Sequence, residues 1–75
     1  MIIQSILFDK SKNSLNECIA WLKKHDYTIN MNTYNFDSKN YFRFRQIPPS
    51  SRYYYTMKTV DKRRGIKFVL AKSSL

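Results

Sequence analysis

The sequence predicts a two-layer α+β domain, with one helix packed on a mainly antiparallel sheet of four to five strands in the order β-α-β-β-β-β. Three observations point there. One stretch alone has helical apolar spacing, and short β-prone runs lie before and after it. Four such runs follow it in succession, which favours antiparallel neighbours joined by short connections. The chain has 75 residues, room for a single domain spanning 1–75 with a thin core. One helix covers one face of such a sheet, so the other is left for solvent or a partner.

Residues 2–8, IIQSILF, are short and β-rich. Ile2, Ile6 and Phe8 alternate with Ile3 and Leu7, so both faces are apolar, as suits a strand inside a sheet. Eight apolar-leaning residues without a basic start make neither a signal peptide nor a membrane span. The helix is expected over 15–25. Ser14 followed by Glu17 is a capping-box signature. Leu15, Cys18, Ile19 and Leu22 form one stripe with Trp21 at its margin. Lys23, Lys24 and His25 fall in the last turn, where cations complement the helix dipole.

Residues 27–34 alternate, with Tyr27, Ile29 and Met31 against Thr28, Asn30 and Asn32, and read as a half-buried strand. Residues 41–46 alternate again and should pair with it as a hairpin. The IPPSS segment breaks the sheet, because proline donates no ladder hydrogen bond. Strands are expected over 53–60 and 66–71, joined by the DKRRG turn with the only glycine, Gly65.

With Ile29, Met31, Phe42, Phe44, Ile66 and Phe68 against the helix, alternation sends Tyr41, Arg43, Arg45 and Lys67 to the opposite face. If Tyr53, Tyr55 and Met57 point inward, Tyr54, Thr56 and Lys58 join that face, with Thr28 and Asn30 adding hydrogen-bonding groups. The net charge is +9, from 14 Lys and Arg against five Asp and Glu, spread along the chain. Such an excess biases partners toward nucleic acid, an anionic surface or an acidic protein. Cations neutralise phosphates and tyrosines stack on exposed bases. The expected nucleic-acid-binding residues are Tyr41, Arg43, Arg45, Tyr54, Lys58 and Lys67, with Arg63 and Arg64 from the basic turn after Lys62. The same interleaving also serves cross-strand Tyr–Arg and Tyr–Lys pairs that merely stabilise an exposed sheet. A second reading is a protein-interaction module, self-associating or docking through the sheet face or edge. Binding to lipid ranks last for want of an amphipathic basic helix.

Catalysis is not expected. Cys18 and His25 are seven positions apart, too far for a nucleophile–base pair and too few for a zinc site. The five acids are isolated from one another, and one glycine builds no phosphate-cradling loop. No cofactor is implied. A lone cysteine excludes an intrachain disulfide, so a reducing, intracellular compartment fits best.

Trp21-Leu22-Lys23, His25 with Tyr27, Tyr41 with Arg43-Phe44-Arg45-Gln46, Pro48, and Gly65-Ile66-Lys67 follow one another along most of the chain. That order resembles a small domain found in tailed-phage and large DNA-virus proteins, which in phages occurs beside head-maturation protease regions. The resemblance implies a small viral protein of the host cytoplasm, nucleus or virion. It implies no catalytic residues, and leaves a viral protein or a second copy as alternative partners.

Overall fold

The computed structural model describes residues 2–31 and 36–73. Strand β1 spans Ile2–Asp9, helix α1 Leu15–Lys24, β2 Tyr41–Arg45, β3 Tyr53–Asp61 and β4 Ile66–Ser73. The four strands form one antiparallel sheet in the order β2-β1-β4-β3, with α1 on one face. The described residues thus form an α+β domain with four strands.

The capping box forms as the sequence predicts. The Glu17 amide donates to Ser14 Oγ, and the Ser14 amide donates to Glu17 Oε1. At the other end the Tyr27 amide donates to the Leu22 carbonyl, and Asp26 takes a left-handed φ of 61°. Cys18 and Leu22 bury against Ile6, Phe8, Phe44 and Ile66. Trp21 meets Phe8 and Phe68 edge-on and stacks on Tyr27 at 5.8 Å. Each fully buried apolar side chain contributes about 1.5–3 kcal/mol, so this cluster supplies much of the thin core's stability.

Strand β1 lies inside the sheet, as its two apolar faces required. A bulge between Ile3 and Ser5 inserts Gln4 and reverses the alternation. Ile3 therefore joins Ile6 and Phe8 on the helix side, while Ile2 falls outside that set and is exposed.

Three expectations need correction. Residues 27–31 form no strand, and 32–35 lie outside the described residues. The segment is tied to the end of β2 by the Gln46 side chain, which donates to the Thr28 carbonyl and accepts from the Thr28 amide. Tyr27 and Ile29 still pack on the core, but Met31 is exposed. The turn into β2 is closed by Phe36 and Asp37, with the Arg43 amide donating to the Phe36 carbonyl.

Next, β3 sits at the sheet edge, and its register reverses the expected facing. Lys58 lies opposite Phe68, Thr56 opposite Leu70 and Tyr54 opposite Lys72, all on the helix side. Tyr53, Tyr55, Met57 and Thr59 lie on the other face, opposite Ser73, Ala71, Val69 and Lys67. The expected parity assumed that aromatic residues must fill the core. At the edge, beyond the core cluster, none of the three tyrosines is buried.

Finally, the face opposite the helix is only partly open. Strands β2 and β3 occupy opposite edges, so residues 46–52 must cross three strand spacings, about 14 Å. The Gln46 and Ile47 amides donate to the Gln4 carbonyl, and Gln4 Nε2 donates to the Ile47 carbonyl at 3.1 Å. Tyr55 anchors the far side: its hydroxyl accepts from the Ser50 amide and donates to the Ser50 carbonyl. Ser5, Val69 and Ala71 are buried on this face.

Candidate functional site

An antiparallel sheet gathers its turns at its ends. Here β1 ends, β2 begins, and β3 passes to β4 at the same end. The three polar turns meeting there carry Lys10 and Lys12, Lys39, and Lys62 with Arg63 and Arg64. Two clefts result, of about 420 and 440 Å³, and Asp9 and Tyr41 line both. Lys12, Lys62, Lys67, Gly65 and Thr59 complete the first; Lys10, Lys39, Ser11 and Asn40 complete the second. Five lysines thus surround one tyrosine and one acid.

The acid has structural work. Asp9 Oδ1 accepts from the amide and the hydroxyl of Ser11, and these bonds hold its carboxyl below the usual range. Lys10 is ion-paired with Asp37. Lys67 Nζ lies 3.4 Å from the Tyr41 hydroxyl and 5.6 Å from its ring centre. Gly65, at φ +66°, lets the third turn approach β1, and the Asp9 amide donates to its carbonyl at 3.0 Å.

Farther along the same face, Arg43 donates through Nε to Ser5 Oγ and through a terminal nitrogen to Gln4 Oε1. These neutral acceptors fix the guanidinium without cancelling its charge, and it has no acidic partner among the described residues. A pocket of about 330 Å³ lies beside it, walled by Pro49, Tyr55, Met57 and Val69. Arg45 lies opposite Ser5 and flanks a smaller pocket with Thr28, Asn30 and Gln46.

No family model, curated protein or solved structure matches this chain.

Of the residues expected to share a binding face, the structure brings together Tyr41, Arg43, Arg45 and Lys67. Tyr54 and Lys58 are on the opposite face, for the register reason given above. Arg64 is half-buried and points its guanidinium at α1, donating to Asn13 Oδ1 and lying 4.0 Å from Glu17. That places it as a brace for the 61–65 turn. Arg63 stands exposed on the same turn. Lys12 and Lys39 carry no local sequence signal, since each looks like an ordinary turn residue. Their signal was topological: in an antiparallel sheet, the turns on either side of neighbouring strands converge.

Cys18 is fully buried, and burial pushes its thiol up to about 11. Among the described residues no group of three or more His, Cys, Asp or Glu is placed to hold a metal ion, and no helix is long and apolar enough to cross a membrane.

Proposed function

We propose that the chain is a small, basic, non-catalytic nucleic-acid-binding module of a DNA virus. The observation that supports this most strongly is the ring of lysines around Tyr41. Lys12, Lys39, Lys62 and Lys67 have no ion-pair partner among the described residues, and they stand at one end of the face that carries Arg43 and Arg45. The phosphate backbone would lie across these cations, releasing condensed counterions. Tyr41, flanked by both clefts, would stack on a base of a single strand or loop. Arg63 would reach a neighbouring phosphate from the turn. Tyr54 and Lys58 have no part in this surface. The viral setting rests on the resemblance carried by the order of motifs along the chain.

The test is fluorescence anisotropy with short single- and double-stranded DNA and RNA at low salt. The informative variant is Lys62→Gln with Lys67→Gln, because neither side chain braces the core. It should weaken binding at least ~10-fold and leave the melting temperature within ~2 °C of wild type. Arg43→Ala is a poor choice, since it also strips partners from buried Gln4 and Ser5. Absence of wild-type binding to every probe at low salt refutes the reading.

A further inference from the structure

We propose that two copies of the chain pair β3 to β3, antiparallel about a twofold axis at Thr56, and continue their sheets into one. Strand β3 is the edge beyond β4, in unbroken register with it from Tyr53 to Thr59. Tyr54 through Val60 are exposed on both faces. Among the described residues, exposed large hydrophobic side chains concentrate there: of Ile2, Met31, Tyr54, Tyr55, Met57 and Val60, four belong to this strand. Natural edges are blunted by proline, by charge or by shortness. This one has nine residues, no proline, and only Lys58 and Asp61 as charges, so it is neutral within a chain of +9. Its bulge, between Thr59 and Asp61, leaves the stretch before it regular.

The neutrality of the strand admits a second copy, and charge, side-chain fit and length of pairing favour one register; axes at Tyr54 or Thr59 pair only three or five of the strand's residues. A twofold axis perpendicular to a sheet pairs each residue with one on the same face, so the axis must pass through a residue. Centred on Lys58, the two Lys58 side chains would oppose each other. Centred on Tyr55, Arg52 would oppose Lys58; centred on Met57, Arg52 would oppose Lys62. Centred on Thr56, no like charges meet. Tyr54 then faces the second copy's Lys58, Tyr55 its Met57, and Tyr53 its Thr59. These are cation–aromatic, sulfur–aromatic and aromatic–β-branched pairs, all favourable across strands. Because each copy carries +9, added salt strengthens this association, whereas it weakens nucleic-acid binding. The two proposals therefore fail separately.

The test joins sedimentation of the wild type with cysteine cross-linking of Thr56→Cys and Lys58→Cys. Opposite residues in antiparallel strands hold their Cα atoms about 4.5–5.5 Å apart, within the reach of a disulfide. In the Thr56-centred register the two position-58 residues are offset by four residues, about 14 Å along the strands, and cannot bridge. Under mild oxidation Thr56→Cys should form covalent dimer at least ~10-fold faster than Lys58→Cys. A mixture of Tyr54→Cys and Lys58→Cys should give the mixed dimer. Buried Cys18 leaves the wild type as an uncross-linked control. The wild type should sediment as a dimer at high salt. A monomer at ~1 mM, where even a Kd of that size would show, overturns the proposal. So does equal cross-linking at positions 56 and 58.

Discussion

Replacing Gly65 with alanine tests the approach that builds the lysine-lined clefts. Gly65 has a φ of +66°, and a Cβ there would lie 2.6 Å from Asp9 Cβ. The left-handed backbone costs an L-residue about 1–2 kcal/mol. The overlap falls on a residue of central strand β1, so the turn must move; relieving such a clash costs about 1–3 kcal/mol. The nearby Lys12 Cδ, at 3.3 Å, belongs to a flexible side chain and can move at little cost. Together the loss is about 2–5 kcal/mol, against a total stability of about 4–11 kcal/mol for a domain this size. At about 4–8 °C per kcal/mol, the melting temperature should fall by at least ~8 °C. Urea unfolding followed by circular dichroism measures it, with the slope unchanged if only the folded state is affected. Gly65→Asn should lose less, because asparagine tolerates the left-handed region while carrying the same Cβ. An alanine variant within ~0.5 kcal/mol of wild type would refute the close packing of the 61–65 turn on Asp9.

Two further outcomes are expected. Asp26 closes α1 at a left-handed φ of 61°, so Asp26→Gly should raise stability by about 1 kcal/mol in thermal melts. Cys18, buried and with its thiol pushed up to about 11, should react with a chromogenic disulfide far more slowly in native protein than in urea at neutral pH.

Local patterns identified α1, whose capping box and apolar stripe agree on one element, and the central place of β1, apolar on both sides. What sequence patterns missed depended on neighbours. The alternation over 27–34 looked like a strand, yet the Thr28 amide and carbonyl bond to the Gln46 side chain, and 27–31 form no strand. The parity of β3 could not follow from its own residues, because an edge strand beyond the core has no buried side to fill. The bulge at Gln4 is equally silent in sequence; there the Gln46–Ile47 crossover meets Gln4 through both its backbone and its side chain. The basic face was legible as alternation in Tyr41–Arg45. Its strongest part, the lysines of three turns, came from strand order.

The salt dependence of nucleic-acid binding counts the phosphates that this face contacts. Arg43, Arg45, Arg63, Lys12, Lys39, Lys62 and Lys67 offer seven cations without an ion-pair partner among the described residues. If each neutralises one phosphate, a plot of log K against log salt should slope at about −6 on duplex DNA and about −5 on single strands. Lys67→Gln should flatten that slope by about 1. Binding that is absent at ~50 mM salt, or whose slope is unchanged by Lys67→Gln, would contradict the assignment of this face to nucleic acid.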